Sequence, residues 1–324
     1  MVRDHPTVPR RLDRVSKKMN KKNILKPGLP SGFQNQWGTA LFLKKKLLKI
    51  IEKNFIKFGY SPLETSPMQL SSVIGNSLSE DEENPMSDIF TYNENETDIS
   101  LRYDLSQTCI NFFKQNYMDL PNPFKRYEIG TVYRRDKPGS SRYKSFDQCD
   151  ADVIGNFDVK ANADLCSMIG SIFTEFLKKS EFVIYVSNRK IVQGLMDQLK
   201  IVDQKQKQKV LRAIDKKDKS GFGLKGVEDL LKKERRDPSG AITKGANLND
   251  DQSSQIIDFL KIKDIKELKQ KIDNPLTKEG IKELEDLFEV LSYGEYADQV
   301  KFNPSIVRGM DMYSGTVIET NLKF

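Results

Sequence analysis

Residues 124–154 carry the densest chemistry of the chain. Arg134 follows the run Phe124-Lys-Arg-Tyr-Glu-Ile-Gly-Thr-Val-Tyr133, Arg142 lies across a short basic loop, and Phe146, Gln148, Asp150 and Asp152 recur at every second position beyond it. Side chains of an extended strand alternate between its faces, so those four share one face. An aromatic ring, an amide and two carboxylates make a poor hydrophobic core and a suitable floor for a polar pocket. Two guanidinium groups beside such a floor suit polyphosphate, which arginine binds through paired hydrogen bonds. A solvated charged tip is the ordinary state of an arbitrary hairpin; here the acidic face beside basic ends shifts the weight to a site.

The remaining chemistry-bearing residues narrow the reaction. His5 is the only histidine and stands in a polar stretch, and Cys109, Cys149 and Cys166 are far apart with no CxxC pair. Structural zinc and Ser-His or Cys-His catalysis are therefore hard to build. Three cysteines without a framework suit a reducing compartment. No run approaches the roughly 18 apolar residues of a membrane span, and no apolar stretch follows the basic N-terminus, so cytosol is the expected location. The net charge of +7 favours an anionic partner, nucleic acid or membrane surface, although abundant lysine makes part of that excess a matter of composition.

Elements must position these residues. At 324 residues the chain exceeds one typical domain. Residues 1–32, interrupted by Pro6, Pro9, Pro27 and Pro30, read as a basic flexible arm and entry loop. Leu43, Leu47, Ile50, Ile51 and Phe55 recur at helical spacing and predict a helix over 39–58. Gly59 stands where a helix C-cap would, and residues 60–67 read as extended up to Pro67. Residues 75–98 are acidic and turn-rich and read as a surface loop; 99–103 predict a strand and 105–117 a helix. Bulky and β-branched residues predict strands over 127–133 and 146–154, joined through Lys137-Pro-Gly-Ser-Ser141. A helix over 159–178, a strand over 182–186 and a strand over 316–319 follow. Between the last two, residues 190–295 are helical and charged and read as an insertion. There Lys232, Lys233, Arg235 and Arg236 are expected to be a solvated face, with phosphate contact the lesser reading. The expected organisation is a catalytic core over 33–189, the insertion over 190–295, and a return to the core over 296–324. A closing strand at the chain's end would be exposed unless paired.

With the motifs placed, the chain resembles the histidyl-tRNA synthetases, a family of class II aminoacyl-tRNA synthetases. The helix and strand around Gly59–Pro67 resemble motif 1, and the hairpin resembles motif 2. Leu101-Arg-Tyr-Asp104-Leu-Ser106 resembles the segment holding the substrate amino group, and Arg308-Gly-Met-Asp-Met-Tyr313-Ser-Gly the histidine-binding signature. The resemblance implies an α+β fold, an antiparallel sheet flanked by helices with a helical insertion. It implies a ligase that activates L-histidine with ATP, accompanied by Mg2+, and transfers it to tRNA(His), working as a homodimer with contacts near residues 39–67. Arg134 and Arg308 would be catalytic at the α-phosphate, Arg308 also meeting the substrate carboxylate. Arg142 would reach the outer phosphates and Phe146 would stack on adenine. Asp104, Ser106 and Gln148 would surround the α-amino end of histidine, and Asp152 and Tyr313 the imidazole. Gln148 and Asp152 lie about 13 Å apart on an extended strand. No metal site of the protein's own is implied, nor any protein nucleophile.

Three departures stand out. Met312 replaces a tyrosine of the usual signature, and Asp104 and Asp152 are one carbon shorter than the glutamates of some members. The sequence also ends before motif 3 and the anticodon-reading domain, so residues 1–324 are expected to be an incomplete catalytic domain forming little histidyl-adenylate. A silent paralogue resembling the regulatory subunit of ATP phosphoribosyltransferase is the alternative, but it has no need of three phosphate-binding arginines. A basic RNA-binding scaffold explains the charge and not the polar strand.

Overall fold

A computed structural model describes residues 27–74, 86–135, 142–155, 158–218, 221–236, 242–309 and 313–324. The basic arm before residue 27, the first part of the acidic stretch, the Lys137–Ser141 loop and Met312 lie outside the described residues. Along the chain run α1 (Gly38–Lys57), β1 (Ser61–Pro62), β2 (Met68–Leu70), β3 (Thr91–Glu94), β4 (Thr97–Leu101), α2 (Leu105–Asn116), β5 (Phe124–Tyr133) and β6 (Ser145–Ile154). Then come α3 (Val159–Thr174), β7 (Phe182–Asn188), α4 (Arg189–Gln198), α5 (Gln204–Asp215), α6 (Gly223–Lys232), β8 (Arg235–Arg236) and β9 (Ile242–Thr243). The rest is α7 (Asp250–Leu260), α8 (Ile265–Lys271), α9 (Pro275–Ser292), β10 (Val300–Phe302) and β11 (Thr316–Leu322).

The chain forms two compact units. One comprises Met1–Leu41, Ser66–Thr108 and Gly130–Gln148; the other comprises Phe42–Thr65, Cys109–Ile129 and Cys149–Phe324. In the first, β2, β4 and β3 form an antiparallel sheet in that order. The sequence pattern is mistaken here: residues 75–98 were expected to be a loop, yet β3 and the start of β4 form a hairpin. Asn95 and Glu96 turn it with φ of 49° and 64°, the two left-handed residues that a tight hairpin twisted like its strands requires. Tyr92-Asn-Glu alternates too weakly to announce a strand, because all four residues of β3 are exposed. Ile89, Leu105 and Val132 are fully buried in this unit.

In the second unit β7 is central, with β10 parallel on one side and β11 antiparallel on the other. Phe182, Ile184 and Val186 are buried together with Val183 and Ser187 on the opposite face. A strand buried on both faces needs cover on both. One core joins β7 to Ile191 and Leu195 of α4, Leu284 and Leu287 of α9, and on through α5, α6 and α7. Each such fully buried aliphatic side chain contributes about 1.5–3 kcal/mol. The charged helical stretch thus shares its apolar core with the sheet. A smaller core gathers Phe55, Tyr60, Tyr127 and Met168, and α3 serves both through its two faces. That helix stops at Thr174, short of the expected 178; Thr174 Oγ1 donates to the carbonyls of Gly170 and Ser171 at 2.9 and 3.1 Å. β1 pairs parallel with β5, which neighbours β6, so antiparallel strands dominate an α+β fold with parallel pairs at β1 and β10. In α1 only Phe55 of the expected apolar set is buried; Leu43 and Leu47 stay 56% and 39% exposed.

Candidate active site

In the first unit the Arg134 guanidinium lies over two rings, 4.3 Å from the Tyr103 centroid and 5.2 Å from that of Phe146. Its Nε donates to the Tyr103 carbonyl at 3.2 Å, and its backbone N–H closes the hairpin on Lys144 O at 2.9 Å. Cation–π contact and a carbonyl together fix the direction of a long side chain. Tyr133 N–H bonds Arg102 O, and Arg102 Nε donates to Thr131 O at 2.8 Å. The Arg102 guanidinium lies against Gly130, where a Cβ would oblige it to shift. Asp104 caps α2: its Oδ1 accepts from Gln107 N–H at 2.8 Å. Ser106 follows in the first turn of α2, half-buried, and Arg142 is exposed. Gln148 Oε1 is buried and lacks a hydrogen-bond partner among the described residues. Such an acceptor costs about 1–3 kcal/mol until something donates to it.

In the second unit Asp152 has a partner that the sequence reading missed. Arg126, fully buried on β5, pairs with Asp152 Oδ2 through Nη2 and faces Glu128 Oε2 through Nη1 at 3.7 Å. Glu128, also buried, accepts from Thr65 N–H at 3.0 Å and from its hydroxyl at 2.9 Å. The signal was present: Arg126 and Glu128 alternate on one strand face as Gln148, Asp150 and Asp152 do. Between Lys125 and Tyr127, however, an arginine reads as surface. Tyr60 stands nearby, its phenol pushed up to about 12 first by burial and then by the charges of Asp164 and Asp152. Burial also raises the Cys109 thiol, an effect the Arg126 guanidinium partly offsets.

Arg308 occupies the left-handed region with φ of 55°, and its Nη2 lies 3.5 Å from Glu319 Oε2. Tyr313 is half-buried. Arg189, 2% exposed, ties this segment at both ends. Its Nη1 donates to the carbonyls of Val307, at 2.9 Å, and Arg308; its backbone N–H donates to Gly315 O at 2.8 Å. In the basic cluster of the helical stretch, Lys232 pairs with Glu228 and Asp250 at 2.9 and 2.8 Å. Arg235 faces Asp229 at 3.7 Å and lies over the Phe222 ring. Those local partners agree with the solvated-face reading. Among the described residues no group of three or more His, Cys, Asp or Glu could hold a metal ion, and no helix is long and apolar enough to cross a membrane.

The architecture is that of the catalytic domain of a class II aminoacyl-tRNA synthetase. Histidyl-tRNA synthetase from Nostoc sp. PCC 7120 superposes with a TM-score of 0.74 at 26% identity, over 92% of this chain and 66% of that one. The family model described as histidyl-tRNA synthetase matches residues 42–320. The chain belongs to the histidyl-tRNA synthetase family. It is 59% identical over 308 residues to the histidine–tRNA ligase of Pelagibacter ubique, covering 94% of this chain and 66% of that protein. To the histidine–tRNA ligase of Ruegeria pomeroyi it is 34% identical, covering 62% of that relative. The chain therefore spans just under two thirds of the length of these relatives. A Bacillus halodurans protein titled ATP phosphoribosyltransferase regulatory subunit/histidyl-tRNA synthetase shares the fold, with a TM-score of 0.73 at 18% identity.

Proposed function

We propose that the protein containing this chain is a histidine–tRNA ligase. The histidine carboxylate attacks the α-phosphorus of ATP, forming a P–O bond as the α–β bridge breaks and pyrophosphate leaves. A terminal ribose hydroxyl of tRNA(His) then attacks the acyl carbon and AMP departs. Bringing two anions together at phosphorus is the difficulty, and fixed cations aimed at the developing charge relieve it. The observation that carries the reading is Arg134, held over the Tyr103 and Phe146 rings with its Nε bonded to a carbonyl. A cation so immobilised needs no reorganisation when charge develops. Arg134 and Arg308 act on the α-phosphate, Arg142 on the outer phosphates, and Phe146 stacks on adenine. ATP enters as its Mg2+ complex, the ion travelling with the phosphates. Asp104, Ser106 and Gln148 take the ammonium end of histidine; Asp152 and Tyr313 take the imidazole. The protein works in the cytosol.

A second copy of the chain is the partner of α1, whose Phe42, Leu43 and Ile56 stay more than half exposed. The test is histidine-dependent exchange of pyrophosphate into ATP by the full-length protein. Exchange that is lost in Arg134→Ala supports the reading. Absent exchange in the wild type, with histidine still bound, would favour the regulatory alternative.

A further inference from the structure

The segment that carries Arg308 is fastened to the helical stretch as well as to the sheet. Asn303 N–H donates to Val186 O of β7 at 3.0 Å, and Ile306 N–H donates to Asn303 O at 3.2 Å, so the chain turns where β10 ends. Inside that turn Asn303 Oδ1 accepts from the Ser305 N–H at 3.0 Å and from its hydroxyl at 2.7 Å. Ser305 is buried, and Lys217, just beyond α5, reaches it: Lys217 Nζ donates to Ser305 Oγ at 3.1 Å. The directions agree, since an ammonium can only donate; the hydroxyl accepts from it and passes its own hydrogen to Asn303. The Lys217 side chain is only 22% exposed, with Asp218 Oδ1 at 3.4 Å. An ammonium is strongly hydrated, and this one gives up much of its water to point at a serine. Two further contacts join α5 to the same segment. Val307 is buried in the core that holds Val210, Leu211 and Ile214, and a Cβ on Gly309 would come within 3.1 Å of Arg212 Cγ.

We propose that Lys217 is a positioning residue for Arg308, acting through Ser305. It touches no substrate. It holds the turn over 303–306 that leads into the left-handed Arg308, so the end of α5 sets where that guanidinium stands. The proposal rests on the reading that Arg308 acts at the α-phosphate. Arg189, from the start of α4, holds the carbonyls of Val307 and Arg308, and Lys217 holds the turn just before them. A backbone gripped from two helices keeps the cation in one place as charge develops. A misplacement of about 1 Å at a reacting centre can cost on the order of a hundredfold in rate, so even a slackened turn should be visible in kcat.

The experiment is histidine-dependent pyrophosphate exchange by the full-length protein, without tRNA. The variants are Lys217→Met, Lys217→Arg, Ser305→Ala, the double variant Lys217→Met/Ser305→Ala, and Arg308→Ala. Methionine keeps the stem of the lysine and removes the ammonium; because that side chain is partly open, the Lys217 variants keep the test available even if Ser305→Ala fails to fold. We expect kcat to fall about tenfold in Lys217→Met and in Ser305→Ala, with KM for histidine within about twofold of wild type. The double variant should be no worse than the poorer single one, because both changes break the same connection. Lys217→Arg, which can still donate to Ser305, should recover most of the rate. Wild-type kcat in both single variants, while Arg308→Ala loses exchange, would overturn the proposal; a lysine that served only RNA would give that result. Losses that multiply in the double variant, or a loss in Lys217→Arg as large as in Lys217→Met, would overturn it too. Exchange surviving in Arg308→Ala would instead sink the reading of Arg308 on which the proposal stands.

Discussion

Arg308, proposed above to act at the α-phosphate, sits in a left-handed backbone conformation, so stability and activity should part company there. An L-residue in the left-handed region costs about 1–2 kcal/mol relative to glycine, and Arg308 sits there with φ of 55°. Glycine also frees the unfolded chain, which offsets about 0.4–1 kcal/mol. The Glu319 contact, 3.5 Å long between side chains 41% and 33% exposed, contributes little after solvent screening and is lost equally in Arg308→Gly and Arg308→Ala. The difference between the two variants therefore isolates the backbone, and Arg308→Gly should be the more stable by about 0.5–1 kcal/mol. With a urea slope of roughly 2 kcal/mol/M, its midpoint should lie about 0.3–0.5 M above that of Arg308→Ala. Neither should support pyrophosphate exchange. Urea unfolding followed by far-UV circular dichroism measures the midpoints. An Arg308→Ala protein as stable as Arg308→Gly would refute the strain, and exchange surviving in either would refute the role.

Alkaline pH should unfold the protein through groups that the fold keeps protonated. Burial first, then nearby carboxylates, raises Tyr60 to about 12; burial raises Cys166 to about 12; hydrogen bonds that Lys190 donates to Glu279 and Glu283 raise Lys190. All three folded values exceed the unfolded ones, so the unfolded chain binds fewer protons and stability falls as pH rises. Thermal midpoints should decline from about pH 9 upward, and Tyr60→Phe, which deletes a phenol with no hydrogen-bond partner among the described residues, should flatten that decline; an unaltered slope contradicts it. Gly130→Ala should destabilise by about 1–3 kcal/mol because its methyl meets the Arg102 guanidinium. Adding Arg102→Ala should recover part of the loss, and strict additivity of the two changes would show that they do not touch.

How legible each element was depended on how its residues declare themselves. The β5 and β6 strands were readable because β-branched and aromatic residues sit beside an alternating polar face, and α1 because its apolar residues keep helical spacing. The direction of α1 was not: the same spacing serves Phe55, which is buried, and Leu43, which is exposed. β10, three residues long, is too short to alternate visibly, and β3 faces solvent on every residue. Among candidate site residues, the arginines flanking the polar strand drew attention because their type and spacing suit phosphate. Arg126 and Arg189 escaped because a buried arginine differs from a surface one only in its partners, and those lie far away in sequence.

Arg189 also bears on the order of folding. Its guanidinium reaches carbonyls 118 and 119 residues away, and its N–H meets Gly315 in the register that begins β11. Contacts of such separation form only after the intervening helices have closed a long loop, whose entropy must first be overcome. The geometry of the Arg308 segment is therefore a late product of folding. A nascent chain, or one whose helices have not yet docked on β7, contains the residues at both ends of that segment but not the contacts from Arg189 that hold them.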